Sequence, residues 1–188
     1  MPDKQTIIIE TNRLILRELT LDDLDALFVL YRDPDIRKYF PDGTRTYEET
    51  KEELEWIIDV YYGQYGFGMW ATIHRETGAF IGRCGLIPWT IDDQPEVEVA
   101  YLLDKAYWGQ GLATEAAQAI VRYAFEQLQL SRLICLFDPE HDVSRNVAEK
   151  IGMTLEQDLP GINGDGIPTL MYSMHKQGQI ATKPGEFP

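Results

Sequence analysis

Residues Tyr107–Ala116 read YWGQGLATEA, two glycines one residue apart directly before a run of helix-forming residues. A glycine-rich first helical turn leaves unpaired N–H groups and the positive end of the helix dipole pointing outward together, which makes an anion site. Gly109 and Gly111 matter because a Cβ would hold a bulky diphosphate away from those amides. Upstream, Glu96–Leu103 (EVEVAYLL) alternates as a strand does. Downstream, Ala113, Ala116, Ala117, Ile120, Ala124 and Leu128 trace a narrow, alanine-rich stripe over a helix from Leu112 to Leu128, suited to close packing on a sheet. Leu133–Phe137 (LICLF) is a short continuous apolar strand. Strand, helix and strand therefore form a βαβ unit whose strands are expected to be parallel neighbours.

The N-terminal half reads differently. Asn12–Arg17 is the first expected strand, and Thr20-Leu21-Asp22-Asp23 opens a helix that stops near Asp33-Pro34. A second capping box, Thr46-Tyr47-Glu48-Glu49, starts a helix that Gly63 and Gly66 are placed to end. Met69–His74 and Ala79–Leu86 read as a hairpin closed by Arg75-Glu76-Thr77-Gly78, and Ile91–Pro95 as a polar loop. A short helix from Ser144 to Ile151 and strands at Met153–Gln157 and Leu170–His175 complete the pattern, the last two separated by the loop PGINGDGIP. The expected fold class is α/β (α+β): a mixed, mostly antiparallel central sheet with a parallel βαβ unit and helices on both faces. One domain over residues 1–176 is expected, with residues 177–188, QGQIATKPGEFP, as a poorly ordered tail.

The 188 residues, 44% hydrophobic and 26% charged, suffice for one core. No apolar run approaches the roughly 18 residues that cross a bilayer, and the N-terminus lacks the basic start and apolar stretch of a signal peptide, so a cytoplasmic protein is expected. Cys84 and Cys135 stand alone in apolar settings and read as reduced core thiols. The three histidines have no metal-ligand spacing, and no metal is expected. A net charge of −14 argues against a sequence-independent grip on nucleic acid and is compatible with a cationic partner or simply with an acidic, soluble surface.

Taken alone, the Gly-x-Gly pattern admits a ligand-free turn. No Lys-Ser or Lys-Thr follows the second glycine, which removes a Walker loop. A dinucleotide site is a fairer rival, because Asp138 ends the next strand where a ribose-binding acid can sit. Against it, Thr114 occupies a position that favours Gly or Ala, and a meander precedes the strand.

The wider pattern resembles the GNAT superfamily of acyl-CoA N-acyltransferases, in the branch of ribosomal-protein N-terminal acetyltransferases of the RimJ/RimL type. The resemblance runs from TNRLILRELTLDD through VEVAYLLDKAYWGQGLATEA and SRNVAEKIGM to LMYSM. The family's acyl-CoA signature falls on Trp108, Gly109, Gln110, Gly111, Leu112 and Ala113, with Trp108 in place of the basic or amide first residue. The resemblance implies that amides from Trp108 to Thr114 wrap the pyrophosphate of coenzyme A. It also implies that Tyr101, Leu102 and Leu103, beside a bulge in the preceding strand, pair with the pantetheine arm, and that two parallel strands splay to make the cleft.

Acyl transfer from a thioester to an amine needs a neutral amine, a stabilised oxyanion and a proton for the thiolate. The resemblance places Glu98 where many relatives carry a general base; by residue pattern alone it is equally an ion-paired strand glutamate beside Glu96. Ser144 matches a serine that reaches the sulfur in this branch, and it also reads as a helix N-cap. The resemblance points to a backbone N–H near Val99 to Tyr101 for the oxyanion.

Two positions depart from the family: His141 replaces an asparagine that contacts pantetheine, and Ala148 replaces the tyrosine acid. Aromatic residues Trp56, Tyr61, Tyr62, Tyr65, Phe67 and Trp70 gather where the family builds its acceptor pocket, and the flanking glycines favour Tyr65 and Phe67 as pocket residues. The resulting expectation is an acetyl-CoA-dependent N-acetyltransferase acting on a small-molecule or peptide amine, without nucleic acid or membrane partners, in a family where homodimers are frequent. A non-catalytic acyl-CoA-binding module and a dinucleotide-dependent oxidoreductase stand as alternatives.

Overall fold

The computed structural model describes residues 6–176, so the expected tail at 177–188 lies outside the described residues. Eight strands form one sheet: β1 (Ile7–Glu10), β2 (Leu14–Glu18), β3 (Met69–His74), β4 (Phe80–Ile91), β5 (Gln94–Leu103), β6 (Arg132–Phe137), β7 (Thr154–Leu159) and β8 (Thr169–His175), in spatial order β1-β2-β3-β4-β5-β6-β8-β7. Every neighbouring pair is antiparallel except β5–β6, which is parallel. Four helices accompany them: α1 (Leu24–Tyr31), α2 (Tyr47–Trp56), α3 (Leu112–Glu126) and α4 (Asp142–Lys150). The mixed, mostly antiparallel α/β fold expected from the sequence is the one observed.

The helices divide between the two faces. On one, Leu27, Leu54 and Ile57 pack with Met69, Ala71 and Leu102 of the sheet. On the other, Ala116, Ala117, Ile120 and Ala124 of α3 lie against Val97, Val99 and Leu103, where small side chains let helix and sheet approach closely. Helix α2 starts as its sequence dictates, with Thr46 and Glu49 exchanging the two bonds of a capping box. It then widens into a π-helical stretch, Ile57–Tyr65, and ends at Gly66 with φ +69°.

Three local expectations are corrected. Strand β1 precedes the first expected strand and forms a sheet edge. Ile91–Pro95 is not a loop: Ile91 pairs with Gln94 across the two-residue turn Asp92-Asp93, whose φ values of 48° and 62° suit a tight hairpin with acidic side chains that tolerate the left-handed region. The β4–β5 register runs unbroken from Gly82–Leu103 to Ile91–Gln94, so no bulge separates Tyr101–Leu103 from β4. The irregularity lies instead between β4 and β3, near Thr72 and Ile73.

Candidate active site

Strands β5 and β6 face each other at one register point, Glu98 opposite Ile134. Beyond it towards their C-terminal ends they part, and a cavity of about 440 Å³ fills the opening, bounded by Val99–Leu102 on one side and Leu136–Asp138 on the other. Glu98 therefore sits at the vertex of the split. Its Oε2 accepts from the Trp89 indole at 2.7 Å and its Oε1 from the Leu136 N–H at 3.4 Å. Burial pushes the Glu98 carboxyl up to about 7, against the opposing pull of these two donors and of Arg83. A carboxyl so placed exchanges a proton near neutrality.

Helix α4 supplies the opposite wall. Its N-cap is His141, which overturns the N-cap reading of Ser144. Ser144, Val147 and Ala148 are the buried residues of α4, at the i, i+3, i+4 spacing that puts them on one inward face. Ser144 lines the cavity, and the Tyr101 hydroxyl donates to its backbone carbonyl at 3.0 Å. Burial raises the Tyr101 phenol well above its ordinary value, so it remains a donor at neutral pH. His141 also lines the cavity; its ring stacks on Tyr39 with centroids 4.1 Å apart, and burial lowers its pKa. Ala148 is fully buried in the core, and its methyl leaves no acid in the tyrosine position.

The glycine loop lies between β5 and α3. Gly109 and Gly111 have φ of 72° and 76°, left-handed values that side-chain-bearing residues rarely adopt, and Gly111 is the N-cap of α3. The Trp108 N–H is already bonded to the Lys105 carbonyl at 3.1 Å, which corrects the expected run of free amides at its first member. From Gly109 through Gln110, Gly111, Leu112 and Ala113 to Thr114, the N–H groups have no backbone acceptor among the described residues. The Trp108 indole turns inward and donates to the Leu103 carbonyl at 2.7 Å. Leu102 lines the cavity, whereas Leu103 belongs to the core beneath α3.

Sequence reading missed what braces this loop. Arg13 donates from Nη1 to the Gln110 carbonyl at 2.9 Å and from Nε to Glu115 Oε2 at 2.7 Å, while the Thr11 hydroxyl reaches Glu115 Oε1 at 2.7 Å. The aromatic residues gathered from the sequence divide between two environments. Tyr65 is half exposed and Phe67 is a core residue, whereas Trp56, at the end of α2, and Tyr61, in the π-helical stretch, border a second cavity that adjoins the first. Asp138, a ribose ligand in the dinucleotide alternative, folds its Oδ1 onto the Glu140 N–H at 2.7 Å. Cys84 and Cys135 are free and buried, as expected of core thiols.

The family model for the acetyltransferase (GNAT) domain matches residues 13–154. The chain belongs to the GNAT acetyltransferases.

Among curated relatives, the uncharacterized protein YkkB of Bacillus subtilis is 37% identical over 144 residues, 76% of this chain and 83% of that protein. Among solved structures, the acetyltransferase of Agrobacterium tumefaciens superposes with a TM-score of 0.76 at 29% identity, covering 89% of this chain and 94% of that one. The fold is shared with the ribosomal L7/L12 alpha-N-protein acetyltransferase RimL, solved in complex with coenzyme A, at 20% identity and a TM-score of 0.75 over 92% of this chain and 99% of that one. As a member of this family the enzyme is an acyl-CoA-dependent acetyltransferase, and acetyl-CoA is its co-substrate. Among the described residues, no helix is long and apolar enough to cross a membrane.

Proposed function

We propose that this enzyme moves an acetyl group from acetyl-CoA to a primary amine by direct attack while both are bound, with Glu98 as proton acceptor. The supporting observation is the position of Glu98: buried at the vertex of the β5–β6 split, held by two donors, and ionising near neutrality. The free amides from Gly109 to Thr114 suit the diphosphate of coenzyme A. The edge of β5 beyond Glu98 has no strand partner and suits the pantetheine amides, whose hydrogen bonds must be met once water is excluded.

In this reading Glu98 takes a proton from the acceptor ammonium, directly or through one water, and so frees the nitrogen lone pair for attack on the thioester carbonyl carbon. The C–N bond forms as the C–S bond breaks, and backbone N–H groups of Val99 to Tyr101 steady the developing oxyanion. Ser144, on the inward face of α4, relays to the departing sulfur the second proton, which the nitrogen sheds as the amide forms, and Glu98 returns the first to solvent. His141 holds one wall through its stack on Tyr39.

Thiol release, followed with a thiol-reactive dye over peptides, polyamines, aminoglycosides and amino acids, tests the reading. Turnover with at least one amine, lost in Glu98→Gln while coenzyme A affinity is kept, is the expected result. A Glu98→Gln enzyme with undiminished turnover removes Glu98 from the chemistry, and an enzyme without affinity for coenzyme A removes the whole site.

A further inference from the structure

A second cavity, of about 560 Å³, adjoins the first, and Phe40, Arg83, Ile87 and Trp89 border both. Arg83, Ile87 and Trp89 alternate along β4 and share one sheet face with Glu98, which pairs with Ile87 in register. Four residue steps along the strand, about 13 Å of backbone, separate Arg83 from Ile87. Both charged side chains thus look into the same continuous space from points spaced along it.

Arg83 shares its ion-pair partner. Asp42 pairs with Arg37 at 2.5 Å and Arg45 at 2.6 Å; Glu53 pairs with Arg45 and Arg83, each at 3.1 Å, and accepts the Tyr31 hydroxyl at 2.8 Å. Three guanidinium groups therefore share two carboxylates through direct ion pairs, and the carboxyl of Glu98, which faces the same space, is bonded to Trp89 and Leu136 rather than to Arg83. Arg37 is engaged from two nitrogens, its Nε on the Gly43 carbonyl at 2.7 Å and its Nη2 on Asp42. Arg83 is not: it has the one ion pair, its Nε lacks an acceptor, and its side chain is 9% exposed. Glu49 and Glu52 also border this space but lie exposed on α2, where solvent screens them and Glu49 is occupied with the Thr46 cap.

A buried guanidinium with an open Nε and only a shared carboxylate is costly to keep unless something anionic meets it. The planar fork of an arginine matches a carboxylate. We propose that the amine acceptor also carries a carboxylate, which Arg83 receives where the two cavities join while the amine faces Glu98. The inference rests on the transferase reading above and narrows its acceptor to amino-carboxylates.

The test compares matched pairs: amino acids and dipeptides against their C-terminal primary amides, with aminophosphonates and polyamines as further arms, all read by thiol release on the full-length enzyme. Carboxylates are expected to exceed their amides at least tenfold in kcat/KM, and aminophosphonates to fall below carboxylates. Arg83→Gln is expected to bring the carboxylate-to-amide ratio close to one without changing coenzyme A affinity. Arg83→Lys, which keeps the charge and loses the fork, should leave an intermediate ratio. Amides or polyamines turned over as well as the carboxylates, or aminophosphonates preferred, overturn this inference while leaving the transferase reading standing. No thiol release with any amine, or no coenzyme A binding, overturns both. The wild-type pairs decide the matter even if the Arg83 variants fold poorly.

Discussion

The Trp89 indole N–H meets Glu98 Oε2 at 2.7 Å, bridging two adjacent strands within the wall of the active-site cavity. Trp89 favours the carboxylate and so opposes the effect of burial. Replacing Trp89 with Phe keeps most of the packing and removes that donor. Glu98 should then ionise at higher pH than the value of about 7 in the parent. With Glu98 as the base proposed above, active only when deprotonated, the acid limb of kcat/KM should move upward by about one pH unit, the worth of one modest hydrogen bond to a charged group. A pH–rate profile checks this, and an unmoved limb separates Trp89 from the base.

Glu98 also links stability to pH. Its folded-state pKa lies above the unfolded one, about 7 against 4.5, so its favourable contribution is full below pH 4.5 and is lost as pH rises through 7. The loss is on the order of 3 kcal/mol. Glu98→Gln, which stays neutral, should melt higher than the parent at pH 8 and close to it at pH 4.5. Calorimetry at the two pH values measures the difference, and equal melting temperatures at pH 8 count against a buried, charge-averse carboxyl.

Gly111 caps α3 with φ +76°, and a Cβ there would meet only Arg13 Nη2, at 3.8 Å. The cost of Gly111→Ala is therefore conformational, roughly 1–2 kcal/mol. If the loop relaxes to relieve it, the free amides lose their alignment. The dissociation constant for coenzyme A should rise about tenfold while the fold persists. Isothermal titration reads it, and unchanged affinity places the diphosphate elsewhere.

Arg13 holds the same loop from outside through Gln110 and Glu115. Arg13→Ala should weaken coenzyme A binding about fivefold, the equivalent of one lost hydrogen bond, with little change in kcat at saturation. A fall in kcat alone would mean that Arg13 acts on the chemistry instead.

These cases also show where the sequence is informative. Gly109 and Gly111 stand out because backbone geometry leaves few other residues able to serve there, and the alanine stripe of α3 declares its buried face by period. Arg13 and Glu115 stand 102 residues apart, and nothing local marks their meeting. Arg83 reads as one charge inside FIGRCGLI; its unspent donors appear only once α1 and α2 have brought Tyr31 and Glu53 to it. The Asp92-Asp93 turn was hidden because aspartate is a common loop residue and only the dihedral angles distinguish a hairpin. Ser144 looked like a cap because the first residue of α4 lies within an unbroken polar run, and the helix starts two residues earlier than composition suggests.

The parting of β5 from β6 at Glu98 has one more consequence. Successive residues of a strand look to opposite sides, so Val99 and Tyr101 face α3 while Glu98 and Ala100 face α2. A sheet unzipped along this seam has two doorways on opposite sides of one wall. In the reaction proposed above, carrier and amine take opposite doorways, so neither has to leave before the other can come or go.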